Sequence, residues 1–128
     1  MLNLNFSANN LRGSIPEKIG NCTQLFDLNL SINALNGCIP SFIGTMHSLG
    51  TLDLSQNMLT CEIPTELGDL KSIEMRNLSH NRISESIPSS FDHCMSLNYV
   101  DVSSNLLEGP LPKILAFQNA PFGALKDN

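Results

Sequence analysis

LNLSINALNGCIPSFIGTMHSLGT, residues 28–51, is one unit of a pattern that runs along the chain. Its landmarks are Leu28, Leu30, Ser31, Asn33, Leu35, Gly37, Ile39-Pro40, Ile43 and Leu49. Ile-Pro returns every 24 residues, at 15–16, 39–40, 63–64 and 87–88, and Leu111-Pro112 continues the step. Asn9, Asn33, Asn57, Asn81 and Asn105 keep it. So do Leu11, Leu35, Leu59, Ile83 and Leu107, and Ser7, Ser31, Ser55, Ser79 and Ser103. Columns held in register over successive copies mark a repeat protein in which each unit forms one turn of a coil.

The unit explains its own shape. Leu28 and Leu30 flank the polar Asn29, the alternation of a half-buried strand. So short a strand must be stacked by successive turns into a parallel sheet, with neighbours about 4.8 Å apart. The register predicts strands at Asn3–Ser7, Asp27–Ser31, Thr51–Ser55, Met75–Ser79 and Tyr99–Ser103. The Asn column falls where the chain must turn, so its amides are expected to form a ladder satisfying backbone groups of neighbouring turns. Gly37 and Ile39-Pro40 predict an extended stretch, because proline bars the helical region to the residue before it. Ile43 and Leu49 turn inward on a return path expected to hold a 3₁₀ turn. No unit buries its leucine face alone, so stability resides in the interfaces between turns. The expected fold is an α/β-class right-handed solenoid with one parallel sheet on its concave face. It has about five repeats, at 4–27, 28–51, 52–75, 76–99 and a partial 100–115, followed by a tail at 116–128.

Composition narrows the function. The chain has 128 residues, 41% of them apolar, enough for one domain with a core. A net charge of −5 argues against a nucleic-acid partner, which calls for a basic stripe. No run of 18 apolar residues occurs, so no membrane insertion by this chain is expected. The opening MLNLNFSANN has neither the basic nor the apolar region of a secretory signal. Catalysis is not expected either. Ser79 and His80 are adjacent at the end of a predicted strand, where neighbouring side chains are expected to face opposite ways, while Asp53 and Asp101 stand two turns apart. His47, His80 and His93 occupy different columns, so no metal or other cofactor is expected.

The unit L-x-x-L-x-L-S-x-N-x-L-x-G-x-I-P resembles the plant-type leucine-rich repeat, and G-x-I-P is the mark of that subclass. The likeness covers residues 1 to about 115. The stretch LEGPLPKILAFQNAPFGALKDN, Leu107–Asn128, is similar to the end of the ectodomain of plant leucine-rich-repeat receptor-like kinases, in the group related to the MDIS1-interacting receptor-like kinases. The resemblance implies a protein- or peptide-binding ectodomain segment at the extracellular side of the plasma membrane, serving signal perception. Its implied partner is a peptide ligand or a co-receptor ectodomain. The parent family carries a serine/threonine kinase whose Gly-rich loop, H-R-D and D-F-G are absent from these 128 residues. Alternative readings are a kinase-less receptor-like protein, a secreted inhibitor of cell-wall enzymes, or a truncated product. Met1 falls mid-repeat, without the cap that family members carry, which favours a fragment. The uncapped first turn is then expected to fray and self-associate.

The binding surface is expected on the strand positions that avoid the core. One column is Asn3, Asp27, Thr51, Met75 and Tyr99; the next is Asn5, Asn29, Asp53, Asn77 and Asp101. The Ser column is a third. A fourth, past the strand, is Ala8, Ile32, Gln56, His80 and Ser104. Residues singled out as partner-binding are Asp27, Ile32, Thr51, Asp53, Gln56, Met75, His80, Tyr99 and Asp101. Four N-x-[ST] sequons make Asn5, Asn21, Asn29 and Asn77 glycosylation candidates, with Asn21 favoured because it lies outside the strands. Cys22 and Cys94 share the column of Met46 and Leu70 and are expected to be buried. Cys38 and Cys61 sit on adjacent turns, one column apart, which leaves a disulfide open to them. Two positions break the pattern. Arg76 occupies a column otherwise held by Leu4, Leu28, Leu52 and Val100, so it is expected to snorkel out or fray its strand. Glu85 replaces the turn glycine of Gly13, Gly37 and Gly109.

Overall fold

The computed structural model describes residues 2–112, 117 and 122–128. Its odd-numbered strands are β1 (Leu2–Asn5), β3 (Leu25–Asn29), β5 (Thr51–Asp53), β7 (Met75–Asn77) and β9 (Tyr99–Asp101), and they pair in chain order as one parallel sheet. The register advances by one repeat at each step: Asn3 pairs with Asp27, Asp27 with Thr51, Thr51 with Met75 and Met75 with Tyr99. Between these lie further parallel strands, where the sequence predicts only extended chain. Strands β2 (Arg12–Gly13), β4 (Ala34–Cys38) and β6 (Met58–Thr60) form one row, and β8 (Ser84–Glu85) with β10 (Leu106–Leu107) forms another. An isolated bridge between Glu62 and Ser84 lies between the two rows.

The return path behaves as its prolines require. Pro16, Pro40, Pro64 and Pro88 each precede a five-residue 3₁₀ turn, at Glu17–Asn21, Ser41–Thr45, Thr65–Asp69 and Ser89–His93. Each turn is closed by an N–H bonded to the carbonyl of that proline, as Ile43 to Pro40 at 3.3 Å. These turns stack tightly: a side chain at Gly44 would collide with the backbone oxygen of Glu66 on the next turn. Leu28, Leu52, Leu30, Leu54, Leu35, Leu59, Ile43 and Leu49 form one continuous core with Leu67, Leu78, Ile83 and Val100 through the stack.

The main-sheet strands stop two residues short of the expected serines. The cause is local. Asn29 Oδ1 accepts from the backbone N–H of Ser31 at 3.0 Å and from its hydroxyl at 2.7 Å. That side-chain turn competes with regular strand geometry. It recurs at Asn5, Asp53, Asn77 and Asp101. The next residue in every turn is left-handed: φ is 58° at Ala8, 56° at Ile32, 55° at Gln56, 55° at His80 and 55° at Ser104. For a β-branched residue such as Ile32 this is an unfavourable region. It is held by an inter-turn bond from the Ile32 N–H to the Ser55 carbonyl, 3.0 Å.

The asparagine ladder follows. Asn57 Nδ2 donates to Leu54 and Ser55 of its own turn, 3.1 Å each, and to Leu30 of the preceding turn, 3.0 Å. Its Oδ1 accepts from the N–H of Leu35, 3.1 Å. Asn81 and Asn105 repeat the arrangement. At the first turn Asn9 is exposed and bonds only the carbonyls of Phe6 and Ser7 through its amide nitrogen. At the other end the tail rejoins the array. After α1 (Phe122–Leu125), Asn128 accepts from the N–H of Leu107, 3.0 Å, and donates to the carbonyl of Val102, 2.9 Å. It thereby fills the sixth rung. Phe117 is buried, its ring 6.4 Å from that of Phe91. From the sequence, Phe117, Pro121 and Phe122 of the tail are expected to fold back over the fifth turn; Pro121 lies outside the described residues.

Two further expectations need correction. Arg76 neither leaves the core nor frays β7: its exposure is 0% and its strand is intact. Its Nη2 donates to the Leu67 carbonyl and lies 3.3 Å from Cys94 Sγ, while the guanidinium sits 4.2 Å from the centre of the Phe91 ring. At the turn-glycine column Glu85 adopts φ 65° and Cys61 adopts 66°, so the left-handed turn is kept without glycine at both. Cys94 is buried, but Cys22 is exposed, because no earlier turn covers its side of the stack. Cys38 and Cys61 are joined by a disulfide between neighbouring turns, with Cα atoms 5.2 Å apart.

Candidate protein-binding face

The outward positions of the main sheet lie in two columns. Asp27, Thr51, Met75 and Tyr99 pair directly across adjacent strands, and so do Asn29, Asp53, Asn77 and Asp101. The first column is half-buried except at Tyr99, which is 40% exposed. The Thr51 hydroxyl donates to Asp27 Oδ1 at 2.6 Å, linking β5 to β3. Partial burial first, and then the charges of Asp101 and Asp53, push the Tyr99 phenol above its ordinary range.

The second column carries a structural duty that the sequence reading missed. Each Asn or Asp accepts from the serine two residues on, so its side chain is half committed to the turn. The Ser column does not line the surface: Ser31, Ser55, Ser79 and Ser103 are buried. The signal for this was present, since an Asx residue two positions before Ser is a turn pattern. In the fourth column Ile32, Gln56 and His80 are exposed at the sheet's edge, Ile32 to 49%. The left-handed backbone that sets them there has no signature in those residue types. Asp27, Thr51, Asp53, Met75, Tyr99 and Asp101 thus share one face, bordered by Ile32, Gln56 and His80.

Among the sequons, Asn21 is exposed at the end of a 3₁₀ turn. Asn5 is exposed on β1, whereas Asn29 and Asn77 are half-buried and bonded to the serine of their own sequon. Among the described residues no group of His, Cys, Asp and Glu could hold a metal ion, and no helix is long and apolar enough to cross a membrane.

A family model described as Leucine Rich Repeat matches residues 2–22, 48–70 and 77–94. The chain is built of leucine-rich repeats. Solved structures with the same fold include the BIR2 ectodomain from Arabidopsis thaliana, 33% identical over 98% of this chain with a TM-score of 0.90. A chain of the BIR3–SERK2 complex from Arabidopsis thaliana is 36% identical over 98% of this chain, also at 0.90. The Arabidopsis receptor kinase HAESA, in complex with the peptide hormone IDA and the co-receptor SERK1, is 31% identical over 83% of this chain at 0.80. The leucine-rich repeats described here span 66% of the length of the first two and 18% of the third. No curated protein sequence matches the chain.

Proposed function

We propose that this chain is a protein- or peptide-binding segment of a plant receptor-like kinase ectodomain, acting at the extracellular side of the plasma membrane in signal perception. The observation that carries the reading is the main sheet itself. Its first column, Asp27, Thr51, Met75 and Tyr99, and the bordering Ile32, Gln56 and His80 vary in residue type from turn to turn, while the residues that build each turn are repeated. A rigid scaffold with variable outward positions is how solenoids present binding surfaces. The likeness to ectodomains solved with a co-receptor or a peptide hormone supports the same reading. The tail, Leu107–Asn128, supports placing the parent near the MDIS1-interacting receptor-like kinases. The reading assigns the chain no catalytic task.

The test is direct binding between the purified chain and a purified SERK-type co-receptor ectodomain, measured by surface plasmon resonance. Saturable binding should weaken roughly tenfold, about 1.4 kcal/mol, when Met75 and Tyr99 are both replaced by alanine. Absence of binding, or binding indifferent to that pair, would overturn the assignment of this face.

A further inference from the structure

The Asx turns allow charge to be separated from structure. In the second column each residue supplies one side-chain oxygen to the serine two positions on. Asn29 does so at 3.0 and 2.7 Å, and Asn77 at 3.1 and 2.7 Å. Asp53 does the same at 3.0 and 2.6 Å, and Asp101 at 3.0 and 2.7 Å. Asparagine therefore suffices for the fold, and the negative charges at Asp53 and Asp101 exceed what the turn uses.

Those charges are placed together. Asp53 and Asp101 flank Asn77 on alternate strands of the parallel sheet, roughly 9.6 Å apart at ordinary strand spacing. Tyr99 lies two residues from Asp101 on the same strand and pairs with Met75 on the next, forming an apolar strip beside the carboxylates. Asp27 adds a third carboxylate farther along the face. No Lys or Arg stands in any of these columns. The one cation within the main-sheet strands, Arg76, is wholly buried on the opposite side of β7. The face is therefore acidic without a compensating charge, and its aromatic group is accessible.

We propose that this face docks an extended cationic segment of a partner, with an arginine side chain between Asp53 and Asp101 and stacked on Tyr99. Arginine fits better than lysine, because its planar guanidinium both stacks on a ring and pairs with carboxylates at its edges. This inference rests on the reading of the sheet as the binding face and names the chemistry that the face selects.

Tyr99 is the chain's one tyrosine, and there is no tryptophan, so intrinsic fluorescence reports on this spot alone. The probes are a blocked Gly-Arg-Gly-Arg-Gly peptide and its glutamate counterpart. The arginine peptide should change Tyr99 emission saturably, and the effect should fall as salt rises from about 50 to about 300 mM. Asp53→Asn with Asp101→Asn should weaken it on the order of tenfold while leaving the thermal melt in place. If the double variant melts early, Asp53→Asn alone carries the test. An equal response to both peptides, or no loss in the variants, overturns the proposal. Should the arginine peptide fail while the co-receptor still binds through Met75 and Tyr99, only this inference falls. Should both fail, the binding face falls with it.

Discussion

Arg76 shows how much a repeat array can absorb at one position. Its Nε and Nη1 have no hydrogen-bond partner, and desolvation lowers its pKa from the ordinary guanidinium range, partly offset by Cys94. A buried charge so incompletely paired is commonly replaced by an apolar residue with neutral effect or a gain of about 1–4 kcal/mol. The column already accepts leucine at Leu28 and Leu52, so Arg76→Leu should raise the urea midpoint. A lowered midpoint would mean that the Leu67, Cys94 and Phe91 contacts outweigh the lost solvation. Tyr99 offers a second test at this scale. Its raised phenol pKa means that the folded state loses stability as pH rises past the ordinary tyrosine value and through the raised one. A spectrophotometric titration should give a midpoint above 10.0, the ordinary value, and Asp101→Asn should bring it down.

Within each turn, two kinds of asparagine do different work. Asn57 is buried and serves four backbone groups, three through Nδ2 and one through Oδ1. Asn57→Ala leaves the Leu35 N–H without that acceptor and takes one of the bonds to the Leu30, Leu54 and Ser55 carbonyls, which keep Asn33, Asn81 and the Ile32 N–H, at a cost of about 1–3 kcal/mol. Asn29 is half-buried and holds one serine turn, so Asn29→Ala should cost about 1 kcal/mol rather than nothing. Denaturant midpoints that rank the two the other way would contradict the ladder. The strand, the ladder and the proline-led 3₁₀ turns were all legible, because each depends on a residue type recurring at one position. The early end of each strand was missed because the bond between Asn29 and Ser31 competes locally with the sheet. The burial of Arg76 was missed because period alone cannot tell that Cys94 and Phe91 leave room for a guanidinium. The outward columns of the sheet were legible as places on one face, but the charge in the second stood apart from its turn only when Asp53 and Asn77 proved to make the same turn.

Across the whole molecule, protection is expected to be graded. Leu2 is 58% exposed, Phe6 46% and Leu11 37%, and Leu4, Phe6, Leu11, Pro16, Ile19, Leu30 and Leu35 line an apolar hollow of 270 Å³ at the first turn. The outer edge of β1 has no partner strand among the described residues. At the opposite end the rung filled by Asn128 and the buried ring of Phe117 cover the stack. In the 128-residue chain, hydrogen exchange should therefore be fast over residues 1–27 and slow around Leu52–Leu59. Sedimentation should reveal self-association that adding a capping turn before β1 suppresses. Uniform protection from the first strand onward in a monomer would refute this gradient.

The bond between Cys38 and Cys61 also matters when the molecule is under load. A solenoid pulled from its two ends peels one turn at a time, because each turn holds only its neighbours. The crosslink spans 23 residues, from the second turn into the third, and those residues cannot pay out while it is intact. At about 3.5 Å per extended residue they hold back about 80 Å of contour. Optical-tweezer traces should therefore lengthen by that amount when a reductant is added, with the extra step absent from Cys38→Ala. That bond therefore sets how far the second and third turns can be drawn out before the array gives way.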